Sequence, residues 1–241
     1  MKYHALDPHE IVATTARLRD RIRERFPDAN LGQVAGELLT IASAHAARSE
    51  SIRKPNWALR LVSFALVLCA VVMLGVLVAS TRLRGGDDWH LTQVVQTVDA
   101  ALSMLFFLGA GAVFTLTLDT RQKRRRCIEA LHELRAMAHI VDMHQLTKDP
   151  ERALPAGPTT DASPERTLSA FETVRYLDYC SEMLSLMGKI AAAYVQHFPD
   201  SQAVSAVDDI ENLTNGLSRK IWQKIMILDA ASRAAEAEKR A

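Results

Sequence analysis

The sequence predicts an all-α protein: a two-span transmembrane helical hairpin joined to a cytoplasmic helical bundle built from N- and C-terminal helices. Three observations carry that expectation. Two apolar blocks of membrane length lie between Leu61 and Leu118, and about twenty apolar residues in a helix match a hydrocarbon core of roughly 30 Å. Basic residues crowd the outer ends of the pair, with Arg48, Arg53, Lys54 and Arg60 before the first block and Arg121 to Arg126 after the second, whereas the short connection carries Arg82 and Arg84 alone. Elsewhere apolar residues recur at helical spacing, and no stretch alternates convincingly with the period of two that a half-buried strand requires.

Whole-chain averages conceal this segregation. The chain has 241 residues, a net charge of +1 and 24% charged residues, values that would suit an ordinary soluble protein. Near-neutral charge with no extended basic face gives no reason to expect a nucleic-acid partner. Cys69, Cys127 and Cys180 have no paired spacing, which argues against a disulfide framework or a zinc ribbon. The opening MKYHALDPHE lacks the apolar core of a cleaved signal, so the first apolar block is expected to act as an uncleaved signal anchor.

Residues 1–56 read as an N-terminal cytoplasmic helix pair. Asp7-Pro8-His9-Glu10 is a start signal, with Asp at the N-cap, Pro at the first helical position and Glu where it can complete a capping box. Ile11, Leu18, Ile22 and Phe26 form one face, and Phe26-Pro27-Asp28 ends the helix. A second helix from Leu31 to about Ile52, capped by Asn30 and closed by Lys54-Pro55, carries Val34, Leu38 and Ile41 among small residues. Both stripes are too narrow to stand alone and need a further surface to pack on.

Residues 57–120 form the hairpin, with spans at about 60–81 and 97–119. Gly85-Gly86 supplies the turn and Trp89 suits an interface. The stretch from Val94 to Leu146 contains no proline, and after Gly111 no glycine, so one helix is expected to run roughly 80 Å through the second span and into a cytoplasmic extension at 121–148. A linker at 149–165 holds Pro150, Pro155, Pro158 and Pro164. The C-terminal cytoplasmic helix pair, 166–241, is expected to start at Ser163-Pro164-Glu165, to turn at Phe198-Pro199-Asp200, and to suffer an interruption at Asn215-Gly216.

Several constellations are candidates for sites. His132, His139 and Asp142 share one side of the long helix, but the two histidines sit roughly 10 Å apart along the axis, too far to bind one ion without a second chain. They are weak metal candidates beside the simpler reading of a polar stripe. Cys127, Leu131, Leu134, Ala138, Val141 and Gln145 follow the alternating four-and-three spacing of a coiled-coil seam over less than three heptads; packing within the chain and packing on a second copy are both open. Ala65, Cys69, Gly75 and Ala79 on the first span, with Gly109 and Gly111 on the second, permit close approach of membrane helices. Arg60, Arg121, Lys123, Arg124, Arg125 and Arg126 would set topology and meet lipid headgroups. Asp99 falls at the outer interface, within reach of Arg82 or Arg84.

No phosphate loop, nucleophile motif or zinc-protease pattern occurs, so a non-enzymatic protein without a cofactor is expected. Ala- and Arg-rich composition with short loops suggests a bacterial inner membrane, and the positive-inside rule puts both termini in the cytoplasm. The expected partners are the lipid bilayer, further copies of the chain as a homo-oligomer, and a cytoplasmic protein. Two functions follow: a bundle that senses or binds a partner while the hairpins oligomerise as a pore-forming or membrane-perturbing effector, or a membrane-anchored scaffold or adaptor whose spans serve only as anchor.

Overall fold

The computed structural model describes residues 5–53, 57–83, 91–148 and 168–240. Among these residues there are six α-helices and no strand: α1 (Pro8–Arg25), α2 (Leu31–Arg53), α3 (Trp57–Leu83), α4 (Leu91–Leu146), α5 (Ala170–Val195) and α6 (Ser201–Arg240). Two compact units result. One comprises residues 1–53 and 126–241, the other residues 54–125.

The larger unit is a bundle of α1, α2, the C-terminal part of α4, α5 and α6. Each helix contributes a stripe at helical spacing: Ile11, Thr15, Leu18 and Ile22 from α1; Leu31, Val34, Ala35, Leu38, Ala42 and His45 from α2; Leu131, Leu134, Ala138 and Val141 from α4. Helix α5 is the centre. It packs on α1, α2 and α6 and buries residues from Tyr176 to Tyr194 on more than one side, which an element at the middle of a bundle must do. The seam on α4 therefore has its partners within the chain's own bundle.

Helix ends follow local chemistry. The Asp7 carboxylate accepts the His9 N–H at 2.9 Å, and Pro8 occupies the first turn. At the far end the Phe26 N–H returns to the Ile22 carbonyl, while its ring meets Tyr176 and Tyr179 edge-on at 5.6 and 6.2 Å. The turn thus closes a helix and plugs the core. Helix α2 begins just after Asn30, whose backbone carbonyl takes the N–H groups of Gln33 and Val34. Gly32 lets α1 come close, because a Cβ there would stand 3.1 Å from Cγ of Arg23.

Two sequence expectations are corrected. Helix α5 starts at Ala170 under a capping box in which the Ser169 hydroxyl accepts the Glu172 N–H and the Glu172 carboxylate accepts the Ser169 N–H. Those reciprocal bonds satisfy two end groups, which makes Ser169-x-x-Glu172 the start; Leu168 lies outside the helix. Helix α6 runs through Asn215-Gly216 without interruption, because Thr214 and Leu217 on either side are buried and hold the turn in place. Its start is as expected, with Asp200 accepting the N–H groups of Gln202 and Ala203. The Lys54-Pro55 stop, the Arg84 to Trp89 connection, the linker and Ser163-Pro164-Glu165 lie outside the described residues.

The smaller unit contains α3 and the first part of α4. Within it the two helices meet where a Cβ on Gly111 would stand 4.0 Å from Cδ1 of Leu66. Ala101, Met104, Leu108, Gly111, Ala112 and Thr115 on α4 are shielded to different degrees, and their steps of three and four residues keep them on one face. Thr115 is buried, and its hydroxyl donates to the carbonyls of Gly111 and Ala112. Helix α4 is unbroken over all 56 residues, as the run without helix breakers predicts.

Candidate functional site

Three places in the molecule concentrate chemistry or unpartnered surface. The first is a polar knot inside the bundle where α2, α4 and α5 meet. Helix α2 continues its buried stripe with His45, 3% exposed, whose ring stands edge-on to Tyr194 of α5 at 4.2 Å and 89°. Three residues later Arg48 reaches Glu133 of α4 at 3.2 Å. Neither nitrogen of the His45 ring meets full hydrogen-bond geometry.

Burial first, and the Arg48 guanidinium second, push the His45 imidazolium down to about 3, with the Ala130 backbone opposing. His45 is thus neutral at ordinary pH. Burial likewise raises the Tyr194 phenol, against the pull of Arg48, and lifts the Cys127 and Cys180 thiols to about 11 and about 12. A thiol at those values carries almost no thiolate at neutral pH and is a weak nucleophile. The knot joins three helices through a neutral His45–Tyr194 contact beside the Arg48–Glu133 ion pair.

The second place is a polar groove of about 530 Å³ between α5 and α6. Ser181, Ser185, Lys189, Glu211, Thr214 and Asn215 line it, and Gly188 deepens it. Lys189 donates to the Ser185 hydroxyl at 2.7 Å. The third is the outward face of α4 in the smaller unit, where Leu102, Leu105, Phe106, Phe107, Val113 and Phe114 are each between 61 and 73% exposed. Among the described residues this is the one helix long and apolar enough to cross a membrane; α3 contributes a shorter apolar stretch, Phe64–Met73.

The structure sorts the sequence candidates. Leu131, Leu134, Ala138 and Val141 lie in the bundle core. His132 and His139 are exposed on α4, Asp142 accepts a hydrogen bond from Gln145 at 2.6 Å, and no group of three or more ligating side chains among the described residues is placed to hold a metal ion. The small residues divide. Gly111 faces α3, whereas a Cβ on Gly75 or Gly109 would meet open space, and Ala65, Cys69 and Ala79 are exposed.

The basic cluster divides too. Lys123 pairs with Asp119 one turn earlier at 3.1 Å, Arg124 is half-buried, and Arg121, Arg125 and Arg126 are exposed; the Arg60 side chain falls outside the described residues. His45 was within reach of sequence reading as the next step of the Leu38, Ala42 stripe. The α5–α6 groove was not, because its residues come from two helices that no local pattern pairs. Compared with known protein families, curated proteins and solved structures, the chain matches none.

Proposed function

We propose that this chain is a non-enzymatic, membrane-anchored adaptor: α3 and the apolar part of α4 insert as a two-span hairpin, both chain ends lie in the cytoplasm of a bacterial cell, and the bundle docks a cytoplasmic protein. The observation that carries the reading is the exposed apolar surface on α4 from Leu102 to Phe114. A contiguous apolar face of this kind marks a surface meant for lipid or another protein. The positive-inside rule orients it, with Arg48 and Arg53 before the pair and Arg121 to Arg126 after it.

The bundle has a surface suited to a partner. Met143 and Leu146 near the end of α4, and Trp222, Met226 and Ile227 on α6, are exposed apolar side chains, and Lys224 of α6 donates to the Gln145 carbonyl at 2.9 Å. Exposed aromatic and Met side chains are the types enriched in the cores of interfaces. An alkaline wash of membranes tests the anchor: the full chain is expected to stay in the pellet and to need detergent for release. Recovery in the supernatant would sink the proposal. The docking arm is tested by Trp222→Ser with Met143→Ser, expected to lower capture of the bundle's partner in cross-linked cells while leaving the chain in the membrane.

A second reading keeps the oligomer. Gly109 and Ala110 on the outward face of α4 would let another hairpin approach closely, and Gly109→Cys is then expected to form a disulfide dimer in oxidised membranes. A pore is less well supported, since the outward positions Leu102, Leu105, Phe106, Val113 and Phe114 offer no polar lining for a water path.

A further inference from the structure

The outward face of α4 is not a uniform apolar ridge. Leu105, Phe106, Val113 and Phe114 rise on either side of a depression floored by Gly109, with a volume of about 590 Å³, and the depression ends at Arg121. A Cβ added to Gly109 would meet no atom within 4 Å, so the dip exists because the side chain is missing and not because α3 packs there. Its apolar part, Leu105 to Leu118, runs about 20 Å along the helix, against roughly 15 Å for the hydrocarbon of one leaflet.

The polar end is as informative as the apolar floor. Thr117 turns its hydroxyl back onto the Val113 carbonyl of its own helix, and Lys123 is engaged with Asp119. Of the residues lining the depression, Arg121 is the one charged group, and it is exposed. A guanidinium presents planar paired donors that match a phosphate.

We propose that this depression is a site for one anionic phospholipid, an acyl chain lying along Gly109 and the phosphate held by Arg121. The site rests on the membrane reading given above. An ordinary annular lipid would lie against the helix without regard to headgroup; here a groove of leaflet length and a basic residue at its end select one molecule by chain and by charge.

The test uses the full chain, stripped of lipid in detergent and offered equal amounts of phosphatidylglycerol and phosphatidylcholine with identical chains, with bound lipid counted by native mass spectrometry. The wild type is expected to hold one phosphatidylglycerol per chain with about fivefold preference, the scale of one basic residue near an anionic surface. Arg121→Gln is expected to bring that preference close to one, and Gly109→Leu, whose added atoms enter open space, to abolish retention of both lipids. Arg126→Gln, outside the depression, is expected to leave the preference in place.

Equal loss in Arg126→Gln and Arg121→Gln would overturn the site in favour of diffuse surface charge. Full retention in Gly109→Leu would overturn the groove, displacement by excess inorganic phosphate would show a free-anion site instead, and a dimer without lipid would make a second copy the occupant. A chain that is soluble without detergent removes the membrane reading and this site together. A detergent-dependent chain with no headgroup preference removes this site alone.

Discussion

Helix α4 contains two regions of the same secondary structure with opposite surroundings. From Cys127 to Gln145, Leu131, Leu134, Ala138 and Val141 are no more than 2% exposed, closed in by the bundle. From Leu102 to Phe114, side chains of the same chemical kind are more than 60% exposed at six positions. Apolar content therefore does not say what covers a helix. The distribution of polar residues does: the C-terminal half alternates its apolar seam with Glu129, His132, Arg135 and His139, so one face prefers water and the other protein, while the N-terminal half has no such alternation.

The strongest way to break that comparison is to truncate one leucine in each half. Leu134→Ala should destabilise the bundle by about 2–5 kcal/mol through lost burial and the cavity left behind. Leu105→Ala should change bundle unfolding by less than about 0.5 kcal/mol. Denaturant titration of the full chain in detergent, followed by bundle fluorescence, compares them, and equal effects would erase the distinction.

An effect of similar total size, spread over pH, comes from His45. Its folded value, near 3, lies below the ordinary 6.5, so the unfolded chain takes up a proton that the fold refuses. The sign is then fixed: the contribution to stability is complete above pH 6.5 and is lost as pH falls toward 3. The bundle should weaken on the order of 1 kcal/mol per pH unit across that window, and His45→Leu should flatten the slope of thermal midpoint against pH. An unchanged slope would mean that another group carries the acid sensitivity.

Ser169→Ala removes the hydroxyl half of the α5 capping box and should cost about 1 kcal/mol, read as a lower denaturation midpoint with unchanged denaturant dependence. A small effect is also expected from Glu133→Gln. Arg48 and Glu133 are 43% and 46% exposed, so solvent screens the pair and its loss should cost under about 1 kcal/mol, fading further in high salt. A larger, salt-independent loss would show that the polar knot acts as one network with His45 and Tyr194.

Much of this was legible in advance. Helical class, the continuity of α4, the Asp7-Pro8 and Asp200 starts and the turn at Phe26-Pro27 follow from short-range rules of capping, proline geometry and apolar period, which act between residues a few positions apart. Ser163-Pro164 and Ser169-x-x-Glu172 both satisfy those rules, and the reciprocal bonds of the second set the start of α5. Asn215-Gly216 looked like an interruption because helix propensity is a weak prior that flanking core contacts override.

What the sequence by itself determined is the segregation of the chain: which helices form, where apolar residues gather without polar relief, and where positive charge accumulates. Those depend on composition and period. Only the tertiary structure decided which face of each helix meets protein. It turned Gly111 toward Leu66 and Gly109 outward, two residues apart on one helix, and it closed the Leu131 to Val141 seam within the chain's own bundle. It also brought His45, Arg48, Glu133 and Tyr194 together from three helices. Residues that distant in sequence share a location only after the helices have packed, and the packing is set by shape and burial over many side chains at once.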